Sequence, residues 1–218
     1  EYISWLANVA TTCEKVLQEI RNLQRSELAE AGEGFDVKKQ VGSSTMAHKK
    51  NPIKSENASG LARIVRSFII PTYENALLWH ERDLANSSSE RFTLSHASAL
   101  LEDVMAKTAD VLTNMWVDRD RCLANIHSQK GLVMAEKVMI ELVDHGVARD
   151  EAHEVMREAS FEAVANGEEL IDVCSRTPAI AAAFSAEELE AMFNPFNHVG
   201  VAGEIVDECV ALAREAIQ

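Results

Sequence analysis

The chain has 218 residues, 47% apolar and 26% charged, with 21 Lys+Arg against 35 Asp+Glu and a formal net charge of −14. That length and composition suit a globular protein of one or two domains with a buried core. No run of about 18 apolar residues marks a membrane span, no basic-then-apolar segment marks a secretory signal, and the acidic balance opposes general nucleic-acid binding.

The chain opens inside a periodic pattern. Ile3, Leu6, Val9, Cys13, Val16, Leu17, Ile20 and Leu23 step by three or four, which predicts an amphipathic helix. Such an open start predicts a further N-terminal part outside the present sequence. Gly32 and Gly34 end the helix, and a polar loop runs to about residue 50. Asn51-Pro52 reads as a helix start, with Asn51 as N-cap and Pro52 at the first helical position. Leu61, Ile64, Val65, Phe68 and Ile69 continue that helix, which Pro71 is expected to kink or interrupt.

A polar segment, 80–91, leads into a helical pattern through Leu94, Ala97, Leu101, Val104, Met105, Thr108, Leu112 and Met115. A helix over about 90–115 would be roughly 36–39 Å long, a length typical of extended bundles. From Val117 the helices shorten. Gly146 closes one over 132–144, and Asn166-Gly167 closes one begun near Asp150. Ser185 and Glu188 form a capping box, Asn194-Pro195 stops the helix it starts, and a last helix covers 204–217. No strand alternation or internal repeat stands out. The reading is all-α: part of a long-helix bundle over 1–116, then a small helical C-terminal domain over 117–218.

The charge is unevenly spread. Residues 37–66 hold Lys38, Lys39, Lys49, Lys50, Lys54, Arg63 and Arg66 against Glu56 alone, a local +6 that leaves −20 on the other 188 residues. Within this stretch, residues 41–52 read as a glycine-started loop with three hydroxyls, running into a helix N-terminus that carries lysines. A helix N-terminus with free N–H groups, the charges of Lys49 and Lys50 and the Asn51 amide can hold a carboxylate or phosphate and stabilise charge developing on it. A serine in that field can have its pKa lowered enough to act as a base. Chemistry alone leaves a solvated lysine-rich loop equally open. The four cysteines, Cys13, Cys122, Cys174 and Cys209, form no CxxC pair, which predicts free thiols in a reducing compartment and no zinc site.

Gly42-Ser43-Ser44-x-Met46-x-x-Lys49-x-Asn51-Pro52 resembles the GSSxMPxKxNP loop of the fumarase/aspartase superfamily, with Ala47 where the family usually has proline. Alanine does not fix φ, so the loop is expected to be less restrained. Residues 79–91, with Trp79, Arg82, Asp83, Ser87 and Arg91, resemble the WHERDxxxSSxER stretch of the adenylosuccinate lyase family, and 54–57 and 20–25 are similar to that family too. The resemblance covers most of 1–115 and continues more weakly beyond.

The resemblance implies a β-elimination that releases fumarate from adenylosuccinate, giving AMP, and from succinylaminoimidazole carboxamide ribotide. Ser43 would be the base. Lys49 and Asn51 would stabilise the dianionic carboxylate intermediate, and Glu56 would pair with an active-site histidine of another subunit. Arg82, Ser87 and Arg91 would grip the nucleotide phosphate, with Ser44 and Met46 also contacting substrate. A first-turn Glu56 also favours the helix dipole, and an ion-paired surface segment is the plainer reading of Arg82 and Arg91.

The resemblance further implies a cytoplasmic homotetramer with active sites shared between subunits, a small-molecule nucleotide substrate, no cofactor, no metal, no nucleic acid and no membrane. The family's general-acid histidine lies N-terminal of this segment, and His48, His80, His96, His127, His145, His153 and His198 do not match it. This segment alone is therefore expected not to turn over. Two other readings stand beside the lyase: another superfamily lyase or cycloisomerase, and a non-catalytic helical scaffold.

Overall fold

In the computed structural model, residues 1–35, 45–46 and 49–217 are described. They divide into two compact units, 1–122 and 123–218.

The first unit is a bundle of α1 (Tyr2–Leu23), α2 (Ile53–Ser67) and α4 (Ala85–Asn114), with the short α3 (Ile69–Glu74) at one end. Ile3, Leu6 and Ala10 pack with Ala62, Val65, Ala97 and Leu101. Farther along, Leu17 and Ile20 pack with Ala58, Val104 and Val111. This order makes α1 and α4 parallel and α2 antiparallel to both. The apolar residues of α1 fall on one stripe because they recur every three or four positions. Glu14 of α1 pairs with Arg63 and Arg66 of α2, at 3.3 and 2.5 Å. Lys54 of α2 pairs with Asp110 of α4.

Three details differ from the sequence reading. Pro71 lies within α3, and the break comes at Phe68, because the proline ring crowds the carbonyl four residues earlier and ends α2 at Ser67. The long helix begins earlier than its apolar pattern, at Ala85, because the polar residues of 85–93 already form its first turns. A two-residue antiparallel ladder joins β1 (Ala31–Gly32) to β2 (Trp116–Val117), with Ala31 opposite Val117 and Gly32 opposite Trp116. Two residues are too few to show alternation.

The chain leaves the first unit through α5 (Arg119–His127). In the second unit a 3₁₀ turn (Leu132–Met134) leads into α6 (Ala135–Asp144) and α7 (Arg149–Asn166). Next come α8 (Leu170–Arg176), α9 (Pro178–Ala183), α10 (Ala186–Phe193) and α11 (Ala202–Ile217). Val138, Leu142, Met156, Leu170, Val173, Cys174, Ile180 and Leu189 form its core. Burial pushes the Cys174 thiol up to about 12, so it acts as a small apolar side chain. Gly167 caps α7 at φ 66°, a conformation glycine adopts without cost. The capping box forms in full: Ser185 Oγ accepts the Glu188 N–H, and Glu188 accepts the Ser185 N–H at 2.8 Å. Among the described residues no helix is long and apolar enough to cross a membrane.

Candidate active site

Ser43, Ser44, Ala47 and His48 lie outside the described residues. The end of their loop is described. The Lys49 N–H donates to the Met46 carbonyl at 3.1 Å. The Met46, Lys49 and Lys50 side chains are exposed.

The helix that follows starts one residue later than expected. Its cap position is Pro52, with ψ of 67° and no side-chain cap, so Asn51 does not serve as N-cap. The capping oxygens come from elsewhere. Glu33, 3% exposed, accepts the Lys54 N–H at 3.0 Å, the Ser55 N–H at 2.9 Å and the Ser55 hydroxyl at 2.9 Å. A carboxylate on these first-turn donors satisfies them and meets the positive end of the helix dipole. The first turn of α2 is thus occupied by the protein's own anion. The free N–H groups expected there are taken, while the Lys49 and Lys50 side chains beside them are exposed.

The local +6 shrinks in the same way. Lys54, Arg63 and Arg66 are spent on Asp110 and Glu14, in pairs that join neighbouring helices. Two clefts flank the remaining cations. One, about 580 Å³, is lined by Gln24, Glu33, Lys49, Lys50, Asn51 and Trp116 among others. The other, about 490 Å³, takes in Arg21, Arg25, Lys50, Asn51 and Glu56. Glu56 is exposed at its edge, with its N–H donated to the Pro52 carbonyl at 2.9 Å. Arg21 and Arg25 were not singled out from the sequence as separate site residues; their only signal was the family-like run 20–25.

Arg82, Ser87 and Arg91 line neither cleft. They sit where α4 begins, and the Lys54–Asp110 pair fixes the other end of α4 beside the start of α2. Arg91 and Asp110 are 19 residues apart on one continuous helix, hence about 28 Å along its axis at 1.5 Å per residue. The start of α4, with Arg82, Ser87 and Arg91, and the start of α2, beside Lys49 and Asn51, therefore lie toward opposite ends of the bundle.

The segment that leads into α4 has its own local order. Glu81 and Arg82 take left-handed φ values of 62° and 109°, unusual for side-chain-bearing residues. Asp83 brackets them: its carboxylate accepts the Ala85 N–H at 2.8 Å and the Trp79 N–H at 3.0 Å. Those two bonds, Ala85 first, hold the Asp83 carboxyl below its ordinary value. The ion-paired reading of the arginines does not apply here, since among the described residues neither the Arg82 nor the Arg91 side chain has an ion-pair partner. A carboxyl with a depressed folded-state pKa adds stability above its unfolded value, about 3.9, and loses it as pH falls through the folded value. The 79–85 turn should accordingly stay protected near neutrality and open in acid. Amide exchange of Trp79 and Ala85 should show this, and Asp83→Asn should remove the acid step.

The comparisons with known proteins fit this architecture. A family model described as "Lyase" matches residues 1–67, and one described as "Adenylosuccinate lyase C-terminus" matches 131–209. A crystal structure of 3-carboxy-cis,cis-muconate lactonizing enzyme from Pseudomonas putida superposes with a TM-score of 0.87 at 28% identity, covering 100% of this chain and 47% of that one. The helical bundle is that of the fumarase/aspartase superfamily of lyases.

The adenylosuccinate lyase of Archaeoglobus fulgidus is 41% identical over 218 residues, 100% of this chain and 49% of that protein. The adenylosuccinate lyase of Methanothermobacter thermautotrophicus is 44% identical over 207 residues, 95% of this chain and 46% of that protein. Along its whole length the chain is similar to adenylosuccinate lyases, and it spans about half the length of the curated relatives it matches.

Proposed function

We propose that the full-length protein is a C–N lyase that eliminates fumarate from adenylosuccinate, giving AMP, and from succinylaminoimidazole carboxamide ribotide. The observation that carries this reading is the 41% identity to an adenylosuccinate lyase along the whole chain. In the mechanism, Ser43 takes the proton from the carbon next to a carboxylate. Charge then accumulates on that carboxylate, where Lys49 and Asn51 stabilise it. An acid from chain outside the present sequence protonates the leaving nitrogen. Glu56 pairs with a histidine of another subunit, Ser44 and Met46 contact the substrate, and Arg82, Ser87 and Arg91 hold its phosphate. Guanidinium groups suit that task because their planar fork matches phosphate oxygens.

The bundle geometry supports an assembly with shared sites. About 28 Å of helix separates Arg91 from the Lys54–Asp110 end, far more than a succinylated mononucleotide spans. Lys49 and Asn51 of one chain therefore meet Arg82 and Arg91 of another, as in a cytoplasmic homotetramer. In this reading 1–116 belongs to the central long-helix bundle and 117–218 is the C-terminal helical domain.

The test is fumarate release from adenylosuccinate by the full-length protein and its Arg91→Ala variant. Wild-type turnover with a KM raised roughly tenfold or more in the variant is expected, from loss of a charge-assisted contact. The Pseudomonas putida neighbour favours one second reading, a superfamily lyase or cycloisomerase acting on another carboxylate. Turnover of a phosphate-free substrate with indifference to Arg91→Ala would select it. Absence of any turnover would select a non-catalytic scaffold.

A further inference from the structure

Gln24, at the C-terminal cap of α1, makes two side-chain hydrogen bonds that point in different directions. Its Oε1 accepts the Glu33 N–H at 2.8 Å, and its Nε2 donates to the Lys50 carbonyl at 3.0 Å. The carboxylate of that same Glu33 accepts the Lys54 and Ser55 N–H groups. The bonds close a ring: Gln24 to Lys50, along the chain to Lys54 and Ser55, across to the Glu33 carboxylate, and through the Glu33 main chain back to Gln24. Lys49, Lys50 and Asn51 line the 580 Å³ cleft together with Gln24 and Glu33, so the ring is the wall that carries them. Space for it is kept by Gly32, where a Cβ would lie 2.8 Å from Gln24 Cγ.

A primary amide is the one neutral side-chain group that offers a donor and an acceptor on a single rigid fork. Both are used here, one on each side of the residues that line the cleft. Neither Gln24 nor Glu33 presents a charge to a ligand: the amide is neutral, and the carboxylate is buried against α2.

Resting on the lyase reading above, we propose that Gln24 and Glu33 are positioning residues, which set Lys49 and Asn51 at the angle needed to meet charge developing on the substrate carboxylate. Misplacement of such groups by a fraction of an ångström to an ångström costs rate more than binding, because the stabilised charge exists only in the transition state. Phosphate binding, assigned to Arg82, Ser87 and Arg91 on another segment, is untouched.

The experiment measures kcat and KM for fumarate release by the full-length protein, its Gln24→Leu variant and its Gln24→Glu variant, with the thermal midpoint of each. Gln24→Leu should lower kcat by about ten- to hundredfold while KM moves less than about threefold. In Gln24→Glu, the carboxylate still accepts from Glu33 N–H but repels the Lys50 carbonyl. Protonation restores the donor, so the ratio of its kcat to the wild-type value should climb as pH is lowered. A purely structural residue would give neither pattern. The proposal is overturned by kcat within about twofold of wild type in Gln24→Leu. It is equally overturned if activity loss follows only the unfolded fraction and the Gln24→Glu ratio is flat with pH. Failure of the wild-type protein to release fumarate is a separate result, which removes the lyase reading and this inference with it.

Discussion

Ser43→Ala in the full-length protein is expected to lower kcat for fumarate release by about a thousandfold and to leave KM nearly unchanged. The proton to be removed sits on carbon beside a carboxylate, where it is only weakly acidic. A positioned base supplies roughly 10²–10⁴ in rate for such a transfer, and alanine offers no lone pair to accept it. The groups assigned to the phosphate, Arg82, Ser87 and Arg91, are far along the chain, and they and the substrate-contacting Ser44 and Met46 are unaltered. Lys49 and Asn51 also stay, so the charge-stabilising half of the mechanism survives without its proton acceptor. Steady-state fumarate release checks the prediction, and a kcat close to wild type would remove Ser43 from the role of base.

Gly34→Ala is expected to destabilise the first unit by about 3 kcal/mol and to reduce activity along with it. A Cβ at Gly34 would lie 2.4 Å from the Asn114 carbonyl oxygen and 3.3 Å from Asn114 Cβ. The first contact is with backbone at the end of α4, which cannot step aside as a long side chain can. Relief must come from moving the segment that holds Glu33, whose carboxylate caps α2. The substitution therefore combines overpacking with loss of a helix cap. Denaturant unfolding followed by circular dichroism measures it; a midpoint equal to wild type would show that the β1–β2 corner yields without cost.

Features written in adjacent residues were legible in the sequence. The Ser185–Glu188 capping box and the glycine at the end of α7 need only a few neighbours, and they form as read. The stripe of α1 is legible for the same reason: its period is local. The cap of α2 was not, because Glu33 lies 21 residues from Lys54 and stands between two glycines as an ordinary loop charge. Asn51-Pro52 offered a plausible local cap, and tertiary contact overrode it. The local +6 misled in the same manner. Pairing of Lys54 with Asp110 and of Arg63 and Arg66 with Glu14 depends on helices that meet only in the fold. In the second unit, α8 and α9 have seven and six residues, too few for a period to declare itself, although Thr177-Pro178 marks the start of α9. The candidate residues themselves were named from motif, whereas their division between two ends of a bundle needed the course of α4.

That course bears on how such a chain can change over time. A loop absorbs an inserted residue locally, but one residue added between Arg91 and Asp110 would turn Arg91 by about 100° and shift it about 1.5 Å relative to the far end. Adding seven would restore the facing but displace it by roughly 10 Å. In an assembly where each end of α4 serves a different catalytic centre, either change would spoil two sites at once. Substitution remains open along this helix while length does not, so variation in chain length among relatives should collect in the connections and spare α4.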